Sequence, residues 1–233
     1  MKKRFLPSAI IVLAALFGAT GIASASTTFF SNLGQTGATY SGQYGGQFDV
    51  NASDFLTGAS AEEITSAVFS FANSDDINHV MTPAIYKDNA GKPGTLVGAM
   101  TTFTVPGSVA TEGTFTFANF SATAAGGIFL EAGTKYWLEV SVDQATDLPF
   151  PVVWNSTASQ ATDNGSTFST ITATPILFSM DSGSTWINAN PSTGNTMYSL
   201  SGVPAPEPST GVFLLGGAAV MLARRRLSDL RHK

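Results

Sequence analysis

The chain of 233 residues carries 11 basic and 16 acidic residues, two histidines and no cysteine. The absence of cysteine rules out disulfides, thiolate metal sites and a cysteine nucleophile. Residues 26–202 hold 14 acidic residues and 3 lysines with no arginine, a charge of −11. Such a surface cannot neutralise phosphates, which excludes nucleic acid as a partner.

Met1-Lys2-Lys3-Arg4 is a positive n-region and residues 5–22 are apolar. Ala23-Ser24-Ala25 follows as a small-x-small cleavage site, so residues 1–25 read as a helical signal peptide and the mature chain should begin near Ser26. The next 177 residues suffice for one domain with its own core.

Strands are predicted over 27–30, 44–50, 64–71, 83–86, 96–104, 114–120, 127–130, 136–142, 152–154, 168–173, 176–180 and 197–200 from β-branched and aromatic content and alternation. Residues 61–64 read as a turn. The pattern is clearest at 136–142, where Tyr136, Leu138, Val140 and Val142 alternate with Trp137, Glu139 and Ser141. That alternation predicts a buried Leu138 and a solvated Glu139. Turns such as Asp88-Asn89-Ala90-Gly91, Glu131-Ala132-Gly133 and Asp181-Ser182-Gly183 separate the strands. Together they predict an all-β antiparallel β-sandwich of jelly-roll type over 26–202.

The chemistry on offer is sparse. His79 is the only histidine before the tail, sits in a polar stretch expected to be an exposed loop, and has no Gly-x-Ser-x-Gly elbow to serve. One histidine without cysteine does not make a zinc site. Glu62, Glu63, Glu112, Glu131 and Glu139 are present, but nothing pairs two of them for glycoside hydrolysis. No catalytic residue, cofactor or metal ligand is therefore assigned and a non-enzymatic protein is expected. Calcium is the ion that Asp75-Asp76, Asp88-Asn89 and Asp163-Asn164 could hold, although turn chemistry explains these residues as well. Trp137, Trp154, Trp186 and Tyr86 could form a saccharide platform. Core packing is favoured for Trp137 and Trp154, and an exposed ring for Trp186.

The tail from 203 to 233 has three parts in order. Pro206-Glu207-Pro208 is rigid and polar, residues 211–223 are small and apolar, and Arg224-Arg225-Arg226 closes the run. Arginines behind an apolar helix behave as a stop-transfer signal, because moving them through lipid is costly. At about 1.5 Å per residue the run spans about 20 Å, short of the roughly 30 Å hydrocarbon core. Such a marginal helix suits an anchor that is later removed.

This tripartite tail closely resembles the PEP-CTERM sorting signal of Gram-negative bacterial envelope and extracellular proteins. The resemblance implies recognition near Pro206-Glu207-Pro208 by an exosortase, a membrane transpeptidase or protease, after transient anchoring in the inner membrane. Two further stretches, from Ile85-Tyr86-Lys87-Asp88 to Gly94-Thr95-Leu96 and from Leu130-Glu131-Ala132-Gly133 to Val140-Ser141, resemble the choice-of-anchor R domain. That family is an exported bacterial β-domain without an assigned activity. The resemblances imply a protein of the cell surface or extracellular matrix, and the alternative is a carbohydrate-binding module acting on exopolysaccharide.

Overall fold

The computed structural model describes residues 25–33, 38–44, 49–74, 76–107, 117–142, 152–157, 176–188 and 195–205. Among these residues the regular structure is entirely β. The strands are β1 (Thr27–Ser31), β2 (Ala38–Tyr44), β3 (Val50–Leu56), β4 (Glu62–Asn73), β5 (His79–Asp88), β6 (Pro93–Ala99) and β7 (Phe103–Val105). They continue with β8 (Ala118–Leu130), β9 (Lys135–Val142), β10 (Val152–Thr157), β11 (Leu177–Ser179), β12 (Ile187–Asn188), β13 (Asn195–Thr196) and β14 (Tyr198–Pro204). The expected signal helix within 1–25, except for residue 25, and the expected apolar helix over 211–223 lie outside the described residues, and so does the expected strand at 168–173.

The strands form two seven-stranded sheets, and every pairing between them is antiparallel. The first runs β1-β14-β4-β10-β13, with β8 on β4 and β2 on β10. The second runs β12-β11-β3-β9-β5-β6, with β7 on β5. One apolar core joins them in a sandwich-like arrangement. Ile64, Phe69, Phe71, Trp154, Tyr198 and Leu200 of the first sheet share it with Phe55, Met81, Ile85, Leu138 and Val140 of the second. The sheets also meet at one margin, where Thr101 N–H donates to the Thr123 carbonyl at 2.8 Å. Leu138 is fully buried in the shared core, in line with the alternation of β9.

Several elements depart from the sequence pattern because pairing overrides composition. Glu62 and Glu63 were expected in a turn leading into the strand at Ile64, but β4 already starts at Glu62, where both flanks are paired, to Leu130 and to Pro204. Of the expected strand 44–50, Tyr44 ends β2 and Val50 begins β3, and residues 45–48 lie outside the described residues. The expected strands 114–120 and 127–130 meet in one strand, β8, from Ala118 to Leu130, interrupted by a bulge, while residues 114–116 lie outside the described residues. Ile64 opposes Ile128 while Ser66 opposes Thr123, and Gly126 and Gly127 take positive φ between them. His79 is not exposed. It opens β5 opposite Val105 and is buried, because the Asn73 side chain ties the connecting loop to the Ile77 and Pro106 carbonyls.

The two ends of the described domain lie side by side, with Thr27 opposite Gly202. Asn32 locks this pair by donating to the Thr196 carbonyl and accepting from Tyr198 N–H, each at 2.7 Å. Pairing runs on through Pro204, and Ala205 N–H donates to the Ala61 carbonyl at 3.1 Å. Between Ser201 and Gly202 the register slips, and a Cβ on Gly202 would overlap the Glu63 carbonyl oxygen. Gly202→Ala is therefore expected to destabilise the domain by about 1–3 kcal/mol, the usual cost of overpacking. Chemical denaturation measures it, and an unchanged midpoint would mean that β14 does not approach β4 this closely.

Candidate functional site

The outward face of β9 carries Lys135, Trp137 and Glu139. The register sets Trp137 between Asp54 of β3 and Tyr86 of β5, and sets Glu139 between Ala52 and Ala84. Two alanines beside Glu139 leave space above the sheet, and larger rings from other elements use it. Ala52, Trp137 and Leu177 form a small second apolar cluster, with Tyr86 and Trp186 packed against it. Trp137 is only 1% exposed although it faces away from the main core.

Trp186 arrives from the hairpin joining β11 to β12, which is organised by Asp181. One Asp181 oxygen accepts from Thr185 N–H at 2.7 Å and Ser179 Oγ at 2.9 Å, and the other accepts from Thr185 Oγ1 at 2.7 Å. The Thr185 hydroxyl and amide donors hold the Asp181 carboxyl below its ordinary range. Ser182 donates through N–H and Oγ to Asp49 Oδ2 at 3.1 and 3.0 Å, which fastens the hairpin to the residue preceding β3. The remaining Asp49 oxygen, Oδ1, is enclosed and has no hydrogen-bond donor among the described residues.

At the other end of the cluster, Trp137 Nε1 donates to Asp88 Oδ1 at 2.7 Å. Lys135 Nζ lies 2.7 Å from Asp54 Oδ2 and 3.6 Å from Asp88 Oδ1, and 4.8 Å from the centre of the Trp137 ring. This cation is committed to its neighbours. Asp88 also receives Gly91 N–H at 3.3 Å, so protein donors account for the Asp88-Asn89 turn without an ion.

Glu139 departs most from its sequence reading. It was expected to be solvated, but it is half-buried and accepts a hydrogen bond from the Tyr86 hydroxyl. Burial pushes its carboxyl up to about 7, the Tyr86 donor partly opposes that, and the nearby Asp49 charge adds to it. Tyr86 is raised in turn, by burial and then by Glu139. The face thus presents two half-buried rings, Tyr86 and Trp186, beside two interacting carboxyl groups. It can stack on an apolar ring face and accept hydrogen bonds from hydroxyls.

Three of the four aromatics considered from sequence converge here: Trp137, Trp186 and Tyr86. The fourth, Trp154, is fully buried in the main core, as expected. Trp186 is half-buried, so the exposed ring expected at this position has one side packed. Of the carboxyl groups considered, Glu62 is buried, Glu131 pairs with Lys87 at 2.6 Å, and Asp76 is exposed. Among the described residues no three His, Asp or Glu side chains gather as a metal site. Ala23, Pro206, Glu207, Pro208 and Arg224 to Arg226 lie outside the described residues, as do Asp75, Glu112, Asp163 and Asn164. Asp181-Ser182-Gly183 is a turn as expected, but its tie to Asp49 and its part in seating Trp186 were missed, and the turn ending in a tryptophan was the signal available. No protein-family model matches the chain, and a comparison with curated proteins finds no match.

Proposed function

We propose that this chain is an exported, non-enzymatic protein that an exosortase-type membrane protease sorts through its C-terminal PEP-CTERM signal. In this reading the chain is anchored transiently in the inner membrane by its apolar C-terminal helix and then delivered to the cell surface or extracellular matrix. In this reading the sandwich is of jelly-roll type, a description that its two antiparallel seven-stranded sheets support. The observation that carries the proposal is the order Pro206-Glu207-Pro208, apolar run and Arg224-Arg225-Arg226 at the end of the chain. The strands agree with it: β1 begins two residues after Ala25 and β14 ends two residues before Pro206. A second reading, a carbohydrate-binding module acting on exopolysaccharide, is favoured by the convergence of Tyr86, Trp137 and Trp186 on one face.

Two sets of tail variants test the sorting role in a host with an exosortase. Prolines fix an extended backbone that a protease can read, so replacing residues 206–208 by alanine should trap full-length protein in the membrane. The arginines act by charge, so Arg224, Arg225 and Arg226 replaced by serine should weaken retention and release unprocessed chain. Mass spectrometry of membrane and released fractions reads both results. An alanine variant still shortened at the same place would make Pro-Glu-Pro a mere linker.

A further inference from the structure

We propose that the outward face of the second sheet, between the Trp186 and Tyr86 rings and the Glu139 carboxyl, is a binding site for a neutral saccharide. The inference deepens the carbohydrate-binding reading and rests on it, by naming the place and the class of sugar.

The rings are prepared for stacking. Each is half-buried, with one side supported by the Ala52–Trp137–Leu177 cluster. A supported ring with an open side matches the C–H face of a pyranose and loses little entropy when the sugar arrives. The hairpin presenting Trp186 is held in place by Asp181 internally and by Ser182 bonding to Asp49.

The polar groups select the ligand. The half-buried Glu139 carboxyl accepts from Tyr86, and Lys135 is held by Asp54 and Asp88, so among the described residues of this face acceptors outnumber free donors. Sugar hydroxyls supply donors. Acidic sugars would bring more carboxylate to a place that already holds Glu139, Asp49 and Asp181. Lys135, the cation on this face, is already bound to Asp54 and Asp88. The surrounding domain, with 14 acidic residues and 3 lysines, repels uronates, sulfates and phosphates as well.

The test is titration calorimetry of the purified full-length chain against neutral glucose and N-acetylglucosamine oligosaccharides, with an oligouronate as the acidic counterpart. At least one neutral oligosaccharide is expected to bind and the oligouronate is not. Trp186→Ala and Tyr86→Ala should each weaken binding by at least about tenfold, as loss of a stacking anchor does. Glu139→Gln should weaken it less, and Asp76→Asn, in a loop apart from the face, should leave it unchanged. Near-ultraviolet circular dichroism shows whether each variant has kept its fold. If neutral sugar binds but all these variants bind equally well, the site is wrong while the carbohydrate reading survives. Binding of the oligouronate in place of neutral sugar overturns the ligand class alone. No binding to any of them overturns both.

Discussion

Trp154→Ala is expected to cost about 3–5 kcal/mol, a large part of the roughly 5–15 kcal/mol that holds a domain of this size together. The ring is fully buried in the first sheet, with centroid separations of 5.8 Å to Phe69, 5.5 Å to Phe71 and 6.1 Å to Tyr198. Three aromatic neighbours cannot collapse into the space left by an indole, so the cavity persists. The indole N–H also donates to the Met197 carbonyl at 2.9 Å, but that oxygen keeps Ser70 N–H at 3.2 Å. Lost packing therefore dominates over the lost hydrogen bond. Trp186→Ala provides the comparison, because Trp186 is half-buried on the outer face and its loss should cost only about 1 kcal/mol. Chemical denaturation of both variants checks the contrast. Equal losses would mean that Trp154 is not at the centre of the core.

The second large effect is a dependence of stability on pH. Glu139 is raised from 4.5 to about 7, chiefly by burial, with Asp49 adding to the shift and the Tyr86 hydrogen bond opposing it. Between those values the folded chain holds a proton that the unfolded chain has released. Glu139 protonation therefore supports the fold fully below pH 4.5, and that support is lost as the pH rises to about 7. The shift corresponds to a loss on the order of 3 kcal/mol across this window. Glu139→Gln keeps the shape and an acceptor for Tyr86 but cannot titrate, so its unfolding midpoint should be nearly level over the same range. Denaturation of both proteins across the window measures the difference. Parallel curves would show that Glu139 is solvated, as the alternation along β9 suggested. Asp181 acts in the opposite direction, because its lowered carboxyl withdraws support only as the pH falls through its folded value.

Local pattern accounts for much of this molecule. The alternation along β9 identified Tyr136, Leu138 and Val140 as one face, and they lie in the main core. Ala67, Phe69 and Phe71, alternate residues of β4, lie in the same core. The expected N-terminal signal and the proposed sorting tail are contiguous motifs, so both are proposed from sequence alone, and both lie almost wholly outside the described residues. β3 could not be read in this way. Its residues Asn51-Ala52-Ser53-Asp54 have little strand propensity, yet all seven residues of the strand pair with β9. Partners distant in sequence supply what composition does not.

The candidate site shows the same limit. Period-two alternation says which side chains share a face of a strand, and it correctly set Trp137 and Glu139 opposite Leu138. It does not say whether that second face is bare or covered. Covering depends on the Asp181 hairpin, some forty residues further along the chain, which brings Trp186 over the sheet. It also depends on the register that sets Tyr86 beside Trp137. Tertiary contact alone buried Trp137 away from the main core and raised the Glu139 carboxyl, because burial and electrostatic neighbours are set by distance in space.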